Sequence, residues 1–184
     1  MHYTEYQNAR DTTWKLLTDL KIKELPIQIG TICKTLGITI KLYVPTDEND
    51  GISFVVDKKP IIMVSSKVPL PRQRFTAAHE LGHILLGHVG KYKLVNREPN
   101  SNDSPIEQAA NVFASRLLAP ACVLWGCNAK TPEQIASLCG ISYTAAQFRA
   151  ERMELLYKRN KFLSSPLERK VFQHFADYIA ENKL

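Results

Sequence analysis

Thr76-Ala77-Ala78-His79-Glu80-Leu81-Gly82-His83-Ile84-Leu85-Leu86-Gly87-His88 holds three of the chain's five histidines within ten residues. Residues 72–88 carry helical periodicity, with no breaker but Gly82 and Gly87, so a helix is expected there. His79 and His83 stand four apart, which turns a helix by about 400°. Both imidazoles then leave one face, one above the other, and can bind a single divalent ion. Glu80 lies about 100° round the helix from His79, beside the two histidines and not between them. That is where a general base must stand to take a proton from water activated by the ion. Ala77, Ala78, Leu81, Ile84, Leu85 and Leu86 make the helix largely apolar, a setting in which charge without a role is costly. Gly82 costs roughly 1 kcal/mol against Ala in mid-helix; the cost makes sense if another helix approaches closely.

Two histidines leave a tetrahedral ion short of a third protein ligand. A third histidine six residues after His83, with a glycine three after it, would complete one familiar arrangement. Val89 and Leu86 occupy those positions, and His88 comes five residues on. The alternative is a carboxylate from a later helix. Glu107 is the best candidate, sharing a helix face with Ala110, Asn111 and Ala114. The small alanines would let that helix lie close to Gly82. Against this stands a capping role: Ser104-Pro105-Ile106-Glu107 has the form of a capping box, in which Glu107 would bond the Ser104 backbone. Glu98 and Asp103 are weaker ligand candidates.

Upstream, residues 4–21 and 27–36 read as helices, the second stopped by Gly37. Residues 38–44, 52–56 and 61–64 read as three short strands. Turn signals at Asp47–Gly51 and Asp57-Lys58-Lys59-Pro60 separate them, so a small antiparallel meander is expected. Downstream, 90–104 is a polar loop of a length that is often functional, and it could gate the site. A helix opens at Ser104-Pro105 and closes before Pro120. Thr131-Pro132 opens another, Gly140 ends it, and 142–160 forms a third. Residues 166–181 read as one amphipathic helix with Leu167, Val171, Phe172, Phe175, Tyr178 and Ile179 on one side. The expected class is α+β: a three-stranded antiparallel sheet packed with a helical bundle that carries the histidine helix, then a helix-turn-helix-like part. The expected division is a catalytic domain over 1–120 and a helical extension over 121–184, packed on the same core.

The bulk numbers suit a soluble globular chain: 45% hydrophobic and 23% charged residues. No run suggests a membrane span, and the polar N-terminus lacks the apolar stretch of a signal peptide, so a cytoplasmic location is expected. Cys33, Cys122, Cys127 and Cys139 form no C-x-x-C pair and are expected to be buried and reduced. The net charge of +6 comes from residues spread along the chain. It permits a nucleic-acid or acidic partner without arguing for one.

Thr76-Ala77-Ala78-His79-Glu80-Leu81-Gly82-His83, followed by Glu107-Gln108-Ala109-Ala110-Asn111-Val112-Phe113-Ala114, resembles the ImmA/IrrE family of metallopeptidases. The resemblance extends through Leu117-Leu118-Ala119-Pro120, where the family usually has Met before the Pro. It covers about residues 30–158. It implies zinc held by His79, His83 and Glu107, with Glu80 as base; iron or manganese would suit the same donors. It also implies a protein substrate, in some members a phage-type repressor, and a setting in bacteria, prophages and integrative elements.

The expected function is therefore zinc-dependent endoproteolysis of a specific protein, such as a phage-type repressor or another transcriptional regulator. His88, Tyr92 and Tyr143 are candidates for stabilising the oxyanion, although His88 also fits a supporting or surface place. Peptide deformylase, another enzyme with this helix pattern, needs a Cys ligand from a Gly-Cys motif. Cys33 follows Ile32 in a helix, which excludes that reading. The competing class is a metal-binding regulator that binds a repressor or DNA without proteolysis. Residues 131–142 resemble a helix-turn-helix, whose second helix would turn Tyr143, Thr144, Gln147 and Arg149 outward. The same hairpin could equally dock a substrate or partner. An intact Glu80 favours the enzyme, because metal binding alone does not need it.

Overall fold

The computed structural model describes residues 3–46, 49–89 and 104–184. The loop expected over 90–104 lies outside them except for Ser104, as do Asp47 and Glu48. The chain divides into two compact units, residues 1–12 with 28–114 and residues 13–27 with 115–184. Two of the three boundaries fall inside helices, α1 (Tyr3–Asp19) and α4 (Pro105–Leu118), and the third lies just before Ile29.

In the first unit, α2 (Ile29–Thr35) leads into a sheet of β1 (Thr39–Tyr43), β2 (Gly51–Val56) and β3 (Lys59–Ser65), and α3 (Leu70–Leu85) follows. The α+β class is as expected, but the meander is not formed. The order is β1-β3-β2. β1 runs parallel to β3, from Thr39↔Ile61 to Tyr43↔Ser65, and only β2 pairs with β3 antiparallel. Burial decides the order. The run Ile61-Ile62-Met63-Val64 is the most continuously apolar of the three strands, and Ile62 and Val64 are buried, so β3 takes the middle. Asp57 and Lys58, both at positive φ (49° and 62°), make the two-residue turn of the β2–β3 hairpin. Pro60 pairs with Val55 of β2, one residue before the β1 ladder begins at Ile61. Its missing N–H therefore costs no bond to β1.

α3 packs on β2 and β3. Its buried residues are Thr76, Ala77, Ala78, Glu80, Leu81, Gly82 and His83, so Glu80 and His83 of the motif face inward with the apolar residues, while His79 is half-buried. Two glycines set how closely it can lie. A Cβ on Gly51 would run into Thr76 Cγ2 and stand 3.0 Å from the Met63 carbonyl oxygen. A Cβ on Gly82 would stand 3.0 Å from Phe113 Cδ1 of α4. The close approach expected at Gly82 is made, but by the Phe113 ring and not by the alanines of α4.

The second unit is helical: α5 (Ala121–Gly126), α6 (Pro132–Cys139), α7 (Tyr143–Lys158), α8 (Pro166–His174) and α9 (Ala176–Glu181). The single last helix expected over 166–181 is two, divided at Phe175, whose backbone leaves helical values (φ −93°, ψ 9°). Val171, Phe175 and Ile179 are all buried. Their four-residue spacing continues across the break, which is why periodicity reads one helix. α6 starts with a full capping box between Thr131 and Gln134 and ends at Gly140 in the left-handed conformation (φ 60°). Ser142 Oγ then caps α7, accepting from the Ala145 N–H. Tyr143, Thr144 and Gln147 face outward as expected, but Arg149 is buried. It shares the inner face of α7 with Ala146, Ala150 and Met153.

All four cysteines are free and buried. Burial pushes the Cys33 thiol up to about 12 and raises the Cys122 thiol as well. The stretch Pro105–Gly126 is long and apolar enough to cross a membrane by length and composition, yet 72% of its apolar window is buried inside the protein.

Candidate metal centre

α3 places His79 and His83 one turn apart, and the first turn of α4 brings Glu107 to them. The mechanism of that delivery is local. Ser104 Oγ accepts the Glu107 backbone N–H at 3.2 Å, which caps the helix start. The reciprocal half of a capping box is not what the Glu107 carboxylate makes. It turns instead to the histidines, with Oε2 3.1 Å from His79 Nε2 and Oε1 3.3 Å from His83 Nε2. The two Nε2 atoms are 3.0 Å apart.

These are the distances of ligands around an ion. Donors held 2.0–2.1 Å from a tetrahedral zinc are separated by roughly 3.3 Å. Two imidazoles and one carboxylate also match the donor set of a catalytic zinc site with one position left over. Among the described residues, His79, His83 and Glu107 are the one such cluster. The residues thus fit a divalent metal ion. Burial alone would raise the Glu107 carboxyl. The hydrogen bonds to His79 and His83, and their charge, outweigh it and hold the group well below the usual carboxylate range.

A metal-binding imidazole commonly anchors its other nitrogen to a neighbour. His79 Nδ1 is 2.9 Å from Asn111 Oδ1, one helical turn beyond Glu107 on α4. That oxygen can only accept, so an ion bound at Nε2 would leave the His79 proton on Nδ1, donated to Asn111. His83 Nδ1 is 3.0 Å from His88 Nδ1. Burial, and then the neighbouring His83, push the His88 imidazole down to about 4. His88 also lines a cavity of about 80 Å³ with Glu5, Asn8, Leu86, Pro105, Ile106 and Ala109.

Glu80 is 1% exposed and accepts a 2.7 Å hydrogen bond from Ser53 Oγ of β2 on its Oε2. One carboxylate oxygen is thereby fixed. Tyr143 lies in the second unit, its hydroxyl donating to Glu133 Oε1 at 3.1 Å. Tyr92, Glu98 and Asp103 lie outside the described residues. Sequence reasoning placed Asn111 on the Glu107 face but gave it no task, although its four-residue spacing from Glu107 was a usable signal. Ser53 had no signal at all: it contacts Glu80 across 27 positions of sequence.

The family described as IrrE N-terminal-like domain matches residues 33–151. The chain is also 31% identical over 128 residues to the radiation response metalloprotease IrrE of Deinococcus deserti. That match covers 63% of this chain and 44% of the relative, so the chain spans less than half the length of the curated relative it matches. The family match contains His79, Glu80, His83, Glu107 and Asn111.

Proposed function

Because the chain belongs to the IrrE N-terminal-like domain family of peptidases, we propose that it is a zinc-dependent endopeptidase acting in the cytoplasm on a specific protein. The substrate class we favour is a transcriptional regulator of the phage-repressor kind, following the family resemblance. The observation that carries the reading is the convergence of His79 Nε2, His83 Nε2 and a Glu107 oxygen, with a hydrogen-bonded Glu80 on the same helix. Zinc held by His79, His83 and Glu107 would supply Lewis-acid polarisation of the scissile carbonyl and activation of water at neutral pH.

The chain's own residues supply the rest. Ser53 donates to Glu80 Oε2 and holds the carboxylate that takes the proton from the attacking water. Glu80 then returns that proton to the leaving amine, as general acid. Burial excludes bulk water from the carboxylate, which keeps the proton in place between the two transfers. Asn111 supports the first imidazole. α7 offers Tyr143, Thr144 and Gln147 outward but not Arg149, so we do not extend the proposal to DNA.

Glu80→Gln tests the reading. It keeps the shape and the Ser53 contact but has no base. Cleavage of purified candidate regulators is expected to fall about 10²–10⁴-fold, with metal content by mass spectrometry unchanged. A variant that keeps its biological effect with metal bound points instead to a regulator that works by binding.

A further inference from the structure

Of the three histidines clustered on and just after α3, His88 is the one that the three converging donors do not include. Its position comes from the way α3 stops. Gly87 takes the left-handed conformation (φ +74°). Its N–H bonds the Ile84 carbonyl at 3.1 Å, and the His88 N–H bonds the His83 carbonyl at 2.9 Å. These are the two closing bonds of a Schellman stop, in which the residue after the glycine packs on the residue five before it, usually through an apolar contact. Here that contact is made by two imidazoles, His88 on His83, with ring centroids 5.2 Å apart at 67° and the two Nδ1 atoms at 3.0 Å.

One proton bridges two Nδ1 atoms, and there are two ways to place it. If His88 Nδ1 donates, the proton of neutral His83 must sit on Nε2. It would then point at His79 Nε2 and the Glu107 carboxylate, into the space of the ion. If His83 Nδ1 donates, His83 Nε2 keeps its lone pair for the ion, and His88 carries its own proton on Nε2. Only the second arrangement lets His83 act as a ligand. Glu5 and Asn8 line the cavity beside His88 and give that side of the site polar surroundings. Asn111 does the matching task for His79, as an oxygen that can only accept.

We infer that His88 is a positioning residue: it accepts the His83 Nδ1 proton and thereby holds His83 Nε2 open to the metal. This rests on the metal-site reading above. The helix stop and the hydrogen bond can be separated by substitution. His88→Leu keeps the apolar contact typical of the stop and offers no acceptor. His88→Asn offers an oxygen near the place of Nδ1.

Zinc affinity of the full chain is measured by competition with a chromophoric chelator, alongside the visible spectrum with cobalt and the melting point of the metal-free forms. His88→Leu is expected to bind zinc about 10–100-fold more weakly, with an altered cobalt spectrum, while His88→Asn stays within about threefold of wild type. Metal-free melting points should agree among the three. Wild-type affinity in His88→Leu overturns the inference, because no acceptor is then needed. Equal weakness in both variants also overturns it, since the ring itself is then required. A wild type that binds no zinc removes the metal site as a whole, and this shows before any variant is compared.

Discussion

Replacing Glu107 with Ala removes the one anionic donor of the site and leaves the start of α4 in place. Ser104 caps the backbone N–H of residue 107 and not its carboxylate, and Ala is a better helix former than Glu. The metal-free variant should therefore fold. In the native chain the carboxylate lies 3.1 and 3.3 Å from the imidazole nitrogens, already at ligand spacing, so little rearrangement offsets metal binding. With zinc at about a thousand times its dissociation constant, binding adds ~4 kcal/mol of stability. For a protein of this size ~1 kcal/mol moves the melting point by about 2–4 °C, so zinc should raise the wild type by about 8–16 °C. If losing the carboxylate weakens zinc about a hundredfold, the same zinc adds only about 1.4 kcal/mol, a rise of about 3–6 °C. Scanning calorimetry with and without zinc, and metal content after gel filtration, measure both. A zinc-dependent rise in Glu107→Ala equal to that of the wild type would refute the three-donor site and return Glu107 to a purely structural place at the helix start.

Two further outcomes follow from the packing. Phe113 is fully buried and fills the space over Gly82. Phe113→Ala should cost about 3–5 kcal/mol in urea unfolding, and a cost under about 1 kcal/mol would show that the α3–α4 contact is not tightly packed. The buried cysteines, with the Cys33 thiol pushed up to about 12, should resist iodoacetamide at neutral pH until the chain is unfolded. Rapid labelling of any of them in the native protein would contradict the burial.

Zinc affinity and hydrolysis report on different residues of one helix. His79 and His83 belong to the first, Glu80 to the second, and the spacing of the motif separates them by rotation alone. That is why Glu80→Gln and Glu107→Ala are complementary tests: one removes a proton acceptor, the other a donor to the ion.

What was legible in the sequence is what short-range geometry controls. Four-residue spacing put His79 and His83 on one helix face, and α3 (Leu70–Leu85) forms there. Thr131, Gly140 and Ser142 marked the ends of α6 and α7, because caps are made within a few residues. The strands were legible as strands, and Glu107 as a residue one helix further on. The pairing of these pieces was decided only by tertiary structure. Alternation cannot say which strand is central; the burial of Ile62 and Val64 puts β3 between the other two and makes β1 parallel to it. Periodicity ran through Phe175, where the chain turns between α8 and α9, and it turned Arg149 outward where packing turns it in. The capping motif left Glu107 with two roles, and contact with both imidazoles is what aims its carboxylate at the histidines. Ser53, Asn111 and His88 acquire their places from contacts across a sheet, between two helices and around a helix stop. The Ser53 contact depends on how a strand packs on α3, and no local pattern encodes it; Asn111 is signalled only by its spacing from Glu107 and His88 only by the Gly87 stop, and their partners are settled by packing.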